Sequence, residues 1–91
     1  VDASHANSGK SEVRQAEVVE ELGKLIGGGD ERITGIMMES FLEAGAQKIT
    51  DGRKGLVYGK SVTDACMDWE TTDRLLRTLA AEVRKRRQAR D

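Results

Sequence analysis

The hydrophobic positions of this chain change their period from one segment to the next. Between residues 12 and 26 they recur at helical spacing, as at Val18 and Leu22, and Ser11 stands where a helix N-cap is expected. The three glycines at 27–29 follow directly, and glycine favours a helix end because it readily adopts the left-handed conformation there. The pattern predicts one amphipathic helix that ends at the glycines.

Two short apolar segments have the character of buried β-strands. Residues 33–38 form a nearly unbroken apolar run that ends at Glu39, and residues 1–4 lead into a loop rich in Ser, Asn and Gly. Unbroken runs of this kind are typical of parallel strands that are covered on both faces. Because side chains alternate along a strand, we expect His5 and Glu39 to share the face of their respective strands with the residues two positions earlier.

The last predicted element is a long helix, and a loop of about 28 residues without sustained periodicity precedes it. Its apolar stripe is formed by Trp69, Thr72, Leu76, Leu79 and Val83, widened by Leu75 and Ala80. The order strand–helix–strand–loop–helix predicts an α/β fold with parallel strands. Two strands cannot close a barrel or cover both faces of a sheet, so we interpret the chain as a fragment of a larger domain.

Composition and charge exclude several functional classes. The chain has 91 residues, at most one domain, and its 15 basic and 16 acidic side chains give a net charge of −1, too balanced to attract nucleic acid or anionic lipid globally. No apolar run of about 18 residues exists that would predict a membrane span. Cys66 is the only cysteine, which excludes an intrachain disulfide and favours a reducing compartment such as the cytoplasm.

Three residues that can ligate a metal stand near the ends of these elements. His5 and Glu39 follow the predicted strands and are 34 residues apart, close to the roughly 31 residues of one unit in an eightfold barrel. Asp64 precedes the last helix. Such a set can hold a divalent cation, with the imidazole favouring Mn, Fe or Zn. From spacing alone, a hydrogen-bonded histidine, an ion pair of Glu39 with Arg or Lys, and a helix cap at Asp64 remain open.

Three other motifs give weaker signals. Residues 9–11 (Gly-Lys-Ser) match the end of a phosphate-binding P-loop, but Ser4 stands where that motif requires glycine, so the motif is incomplete. A looser contact of this loop with a phosphate stays open beside a simple loop and N-cap. The basic run at 84–87 favours a solvated helix end, and Cys66 favours a small packed residue over a nucleophile.

Three blocks of sequence identify a family. They are residues 4–8 (SHANS) with Lys10, residues 35–40 (GIMMES), and residues 58–70 (YGKSVTDACMDWE) followed by Thr72-Asp73 and Leu75-Leu76. In order and spacing they resemble the C-terminal quarter of a class I DAHP synthase (3-deoxy-D-arabino-heptulosonate 7-phosphate synthase) of the feedback-regulated bacterial and fungal type. The resemblance covers essentially the full chain.

The resemblance implies a (β/α)8 TIM barrel of which residues 1–91 are a C-terminal fragment, namely the last two strand–helix units. It also implies a transferase that condenses phosphoenolpyruvate with erythrose 4-phosphate, the first step of the shikimate pathway to aromatic amino acids. The family's divalent metal (Mn, Fe or similar) is held by Cys, His, Glu and Asp. By motif, His5 (also the catalytic candidate), Glu39 and Asp64 match three of these ligands. The Cys ligand lies upstream, and Cys66 does not occupy its place.

The resemblance also implies the upstream part of the same barrel as a partner, a homo-oligomer, a cytoplasmic location, and no nucleic-acid or membrane partner. The isolated chain is expected to be inactive. At Ala46 the chain departs from the family's Gly-Asn-Gln turn, so a contact of that Asn side chain is missing here. The competing interpretation is a free-standing, non-catalytic interaction or regulatory module derived from the barrel. A third, a small nucleic-acid binder using residues 84–87, predicts affinity that falls steeply with salt.

Overall fold

The computed structural model describes residues 1–49 and 55–90, and residues 50–54 of the long loop lie outside these ranges. The described chain forms three helices, α1 (His5–Ser8), α2 (Glu12–Gly27) and α3 (Trp69–Arg90). Helix α1 is a single turn, and α2 and α3 pack against each other. The remaining segments are extended or looped, and they pair with one another through isolated β-bridges.

Helix α2 begins and ends where the sequence predicts. The Ser11 hydroxyl accepts a hydrogen bond from the backbone N–H of Arg14 at 3.2 Å, so the N-cap is confirmed. At the other end the N–H of Gly28 donates to the carbonyl of Lys24 at 3.0 Å. Gly29 follows with φ of +103°, a conformation that an L-residue with a side chain rarely adopts. The run of glycines therefore ends the helix as expected.

The prediction of two continuous strands is wrong in its detail. Asp2 pairs in parallel with Met37, and Ser40 pairs in parallel with Met67, each as an isolated bridge. A strand requires several consecutive pairings, and each of these pairs of segments has a single bridge. At the first bridge, the Ala3 N–H donates to the Met37 carbonyl at 2.9 Å and the Met37 N–H donates to the Val1 carbonyl at 2.8 Å. The segment at Met67, which was predicted to belong to the loop, is thus a third extended segment, and it runs parallel to the segment at Ser40.

The core lies where the extended segments meet the two long helices. Ala3, Val19, Met67 and Leu75 are buried together, and Leu22 and Leu79 pack against them. The predicted stripe of α3 is partly wrong, because Leu75 is fully buried whereas Trp69 is 58% and Leu76 47% exposed.

The buried face of α3 runs through Thr72 and Leu75, so the prediction is confirmed at these two positions and wrong at Trp69 and Leu76. Asp68 caps this helix by accepting a hydrogen bond from the Thr71 N–H at 2.8 Å.

The basic end of α3 is more than a solvated surface. Arg86 Nη1 donates to the carbonyls of Asp30 and Ile33, at 2.8 and 2.9 Å, and so ties the last turns of α3 to the segment after α2. Nearer the start of α3, Arg74 forms an ion pair with Glu20 of α2 at 2.8 Å. Both contacts join α3 to parts of the chain that are far from it in sequence.

The described chain is elongated, with extents of 57 × 23 × 16 Å and a radius of gyration of 15.5 Å. A compact domain of this length has a radius of gyration of about 12 Å. Large apolar side chains such as Met37, Phe41 and Leu42 are correspondingly exposed. Within the described ranges no helix has the combination of length and apolar character that crossing a membrane requires.

Candidate metal centre

His5 reaches the site from a strained turn rather than from a strand. Its φ is +52°, and that of Lys10 at the other end of the turn is +64°, both in the left-handed region. For residues with a side chain this conformation costs about 1–2 kcal/mol each. The strand alternation expected at His5 is therefore wrong, because His5 begins α1 and no longer continues the extended segment. Strain of this kind persists where the surroundings fix it and is frequent at functional sites.

Local hydrogen bonds hold the turn in place. The His5 carbonyl accepts from the Lys10 N–H at 2.9 Å and from the Ser8 hydroxyl at 3.1 Å. The Asn7 side chain donates to the carbonyl of Asp2 at 2.6 Å. These contacts fix the backbone of His5 from both sides, so the imidazole has a defined direction.

The structure brings the three predicted ligands together. One ligand atom from each of His5, Glu39 and Asp64 lies within 4.8 Å of the others. The imidazole Nε2 is 3.0 Å from the Asp64 Oδ2 and 3.6 Å from the Glu39 Oε1. The three side chains come from three segments of the chain, the α1 turn, the end of the apolar run and the loop before α3.

Two of the alternative roles weighed for these residues are wrong. Asp64 does not cap α3, because that role belongs to Asp68. Among the described residues, Glu39 has its ion-pair contact with His5 and not with Lys or Arg. The third alternative, a hydrogen-bonded histidine, stays open, because the ring nitrogens of His5 lie 2.9 Å from the Asp2 Oδ2 and 3.0 Å from the Asp64 Oδ2.

The imidazole is oriented from its other nitrogen by Asp2. Its Nδ1 lies 2.9 Å from the Asp2 Oδ2, and the Asp2 Oδ1 accepts hydrogen bonds from the Ser4 hydroxyl and the Ser4 N–H. The Ser4 hydroxyl, the hydrogen bond to His5 and the Ser4 N–H together lower the pKa of Asp2 to about 2. Asp2 is therefore a carboxylate at neutral pH. The sequence analysis missed this residue, whose only signal is an acidic side chain three positions before His5.

The carboxylates also act on His5. The hydrogen bond with Asp2 chiefly raises the pKa of the imidazole, the charges of Glu39 and Asp2 and the hydrogen bond with Asp64 add to this, and partial desolvation opposes it. The site therefore has an excess of negative charge around a single imidazole. Such a site attracts cations, and a metal competes there with the proton on Nε2.

The geometry fits a divalent transition metal. Nitrogen and oxygen ligands lie about 2.0–2.2 Å from such an ion, which places neighbouring ligand atoms about 3.0–3.6 Å apart for the angles of tetrahedral or octahedral sites. The separations of Nε2 from Asp64 and Glu39, 3.0 and 3.6 Å, fall in this range. The carboxylate on Nδ1 leaves Nε2 free to ligate, as in most histidine–metal sites.

Two features near the site complete its surroundings. The Cys66 thiol is buried, its Sγ lies 3.4 Å from the Asp64 carbonyl, and burial raises its pKa, so it remains a protonated, packed side chain. The Gln47 amide, also missed from sequence, bonds to the carbonyls of Val57 and Lys60 and to the Val57 N–H, all at 2.8 Å. Gln47 thereby closes the loop that leads to Asp64, without any help from a side chain at position 46.

The comparisons with known proteins agree with the geometry. A sequence model of the DAHP synthetase I family matches residues 1–77. A phospho-2-dehydro-3-deoxyheptonate aldolase of Corynebacterium glutamicum is 56% identical over 98% of this chain and 26% of its own length. The Phe-sensitive phospho-2-dehydro-3-deoxyheptonate aldolase of Escherichia coli is 48% identical over 96% of this chain and 25% of its own length.

A solved structure of the phospho-2-dehydro-3-deoxyheptonate aldolase from Francisella tularensis superposes with a TM-score of 0.86 at 42% identity. It covers 93% of this chain, and the match takes up 24% of that structure. The chain thus spans about a quarter of the length of the relatives it matches. With a family model over residues 1–77 and relatives 48% and 56% identical over nearly all of it, this chain belongs to the DAHP synthetase I family.

Proposed function

We propose that this chain is the C-terminal quarter of the catalytic domain of a DAHP synthase, which condenses phosphoenolpyruvate with erythrose 4-phosphate. We further propose that His5, Glu39 and Asp64 hold its divalent metal, Mn or Fe or a similar ion. The observation that carries the proposal is the convergence of these three side chains from three separate segments. A helix cap at Asp64 or an ion pair of Glu39 with Lys or Arg gives no reason for these ligand atoms to meet.

A (β/α)8 barrel explains the arrangement of the extended segments. Residues near 2, 37–40 and 67 lie side by side in parallel, and the candidate ligands stand near these pairings. In barrel enzymes the site lies at the carboxyl ends of parallel strands, where side chains from several strands meet. The upstream part of the barrel would pair the open edges, cover exposed groups such as Met37 and Phe41, and supply the Cys ligand.

The residues of the site have distinct tasks in this proposal. Asp2 fixes the imidazole through Nδ1, and the two carboxylates of Glu39 and Asp64 supply negative charge that balances a cation. A divalent ion bound there supplies Lewis-acid chemistry, either toward the aldehyde oxygen or toward a bound water. Without the upstream three quarters the site is open and lacks a ligand, so the isolated chain is expected to be inactive.

The proposal extends to the setting of the enzyme. We propose a cytoplasmic homo-oligomer with no nucleic-acid or membrane partner, in keeping with a balanced charge and with relatives named phospho-2-dehydro-3-deoxyheptonate aldolase. Aromatic side chains number only three, which leaves few platforms for stacking bases.

A fusion protein tests the function. This chain replaces the matching C-terminal quarter of the Corynebacterium glutamicum relative, and phosphoenolpyruvate consumption is followed with erythrose 4-phosphate and Mn²⁺. We expect activity in the fusion, and losses of at least about 100-fold in His5→Ala and Asp64→Asn, the scale on which one charge-stabilising group acts in an active site. Asp73→Asn, the same change on the exposed side of α3, is the matched control and should keep full activity.

Two results would contradict the proposal. A folded fusion that retains activity after His5→Ala would remove the metal role of that residue. A folded fusion that is inactive and binds no Mn²⁺ would favour the non-catalytic interaction module instead.

A further inference from the structure

Gln15 is a buried polar side chain that the ligand set does not include. It is the fourth residue of α2, in the first turn, and is 1% exposed. It lines the same small cavity as the three candidate ligands, together with Ser8 and Lys10. A buried amide without a hydrogen bond is costly, so its partner indicates what keeps it there.

That partner is the backbone of a candidate ligand. The Gln15 Oε1 accepts a hydrogen bond from the N–H of Glu39, 24 residues along the chain. On the other side of the same residue, the Glu39 carbonyl accepts from the Met67 N–H at 3.0 Å. Both main-chain polar groups of Glu39 are therefore held, one by a helix side chain and one by the neighbouring extended segment. The direction in which its carboxylate leaves the backbone is fixed as a result.

Gln15 itself stands on a rigid support. Its N–H donates to the Ser11 carbonyl at 2.9 Å in the first turn of α2, and Ser11 caps the helix. Helix α2 follows the α1 turn that carries His5, separated only by residues 9–11. The hydrogen bond between Gln15 and Glu39 thus connects the segment that carries Glu39 to α2, the helix that follows the turn of His5.

We propose that Gln15 is a positioning residue of the metal site, which sets the distance between Glu39 and His5 through the Glu39 backbone. The inference rests on the proposed metal site and deepens it. The carboxylate of Glu39 is 3.6 Å from the imidazole, close to the upper end of the separation that one ion can bridge. A small displacement of the Glu39 backbone would therefore remove one ligand.

The test compares Gln15→Met with Val19→Ala in the fusion protein with the upstream barrel. Methionine keeps nearly the volume of glutamine and removes the acceptor. Val19 is equally buried on the same helix but belongs to the apolar core, so its truncation controls for a general loss of stability. Two quantities are measured, the dissociation constant of Mn²⁺ and the hydrogen exchange of the Glu39 amide by mass spectrometry without metal.

We expect Gln15→Met to weaken Mn²⁺ binding about tenfold, the lower end of the effect of outer contacts on metal sites, and to speed exchange of the Glu39 amide. Val19→Ala should change Mn²⁺ binding by less than about twofold, because it touches no group of the site. If Gln15→Met does not fold, Gln15→Glu keeps an acceptor oxygen and should retain protection of the Glu39 amide.

Each contrary outcome overturns a different statement. Unchanged Mn²⁺ affinity in Gln15→Met, with binding intact in the unsubstituted fusion, refutes the positioning role alone. Unprotected Glu39 amide in the unsubstituted fusion, or in Gln15→Glu, refutes the contact on which that role depends. An unsubstituted fusion that binds no Mn²⁺ refutes the metal site, and with it any role of Gln15 toward a metal.

Discussion

Two adjacent leucines on α3 provide a sharp test of the packing. Leu75 is fully buried and Leu76 is 47% exposed, although both belong to the predicted apolar stripe. Truncating leucine to alanine removes about three methylene equivalents, worth about 2.4 kcal/mol at ~0.8 kcal/mol each. At Leu75 the cavity left beside Val19 and Met67 adds to this, so we expect a loss of about 3–4 kcal/mol. At Leu76 about half of the side chain is already exposed to water, so only about half of this burial free energy is lost, roughly 1 kcal/mol.

The assay is urea unfolding of the fusion protein, followed by circular dichroism at the helix band. The two variants remove the same atoms from neighbouring positions of one helix, so helix propensity cancels between them. We expect the midpoint of Leu75→Ala to fall about three times as far as that of Leu76→Ala, with unchanged slopes. Equal losses, or a larger loss at Leu76, would show that α3 packs through a different face and would refute the reasoning.

Three further predictions concern single contacts. Asp2→Asn removes the charge that orients the imidazole and should weaken Mn²⁺ binding about tenfold in a calorimetric titration; full affinity would mean that Asp2 does not act on the site. Arg32 lowers the pKa of Asp30 from 3.8 to about 2, so the pair stabilises the fold above about pH 4 and this stabilisation is lost as the pH falls toward 2. In Arg32→Ala, NMR titration should find a higher Asp30 pKa, because the side-chain hydrogen bonds of Arg32 are lost while the backbone N–H at position 32 still donates; an unchanged value would exclude the side-chain contact. Gly59→Ala should destabilise the fold by about 1–3 kcal/mol in thermal unfolding, because φ is +77° and the new Cβ would lie 2.8 Å from that of Leu42; a neutral effect would contradict this loop conformation.

Helix positions could be predicted from sequence because their signals are local. The hydroxyl of Ser11 needs only the N–H of Arg14 three residues on, and the glycines after residue 27 need no distant partner. The extended segments could not be predicted in the same way. Asp2 pairs with Met37 across 35 positions, and the number of consecutive pairings depends on neighbours far along the chain.

The same distinction between local signals and distant contacts applies to the residues of the candidate site. The three candidate ligands were found because their residue types are chemically distinctive and stand in family motifs. The groups that hold these segments were missed, because Gln15 and Gln47 are uncharged amides whose role depends on backbone groups that are distant in sequence. The left-handed turn at His5 was also missed, because positive φ is uncommon for any residue with a side chain, even though histidine adopts it more often than most.

The two hydrogen bonds of Arg86 bear on how sequence relatives are compared. The family model ends at residue 77, yet α3 continues to Arg90, and Arg86 satisfies two main-chain carbonyls of the segment that leads out of α2. An interaction of this kind requires only a long cationic side chain at about the right position along a helix, so it contributes little to a sequence profile. Alignment boundaries are therefore a poor guide to where this chain can be shortened. A truncation at the edge of the family match would expose the turn after α2 and loosen the start of the apolar run that ends at Glu39.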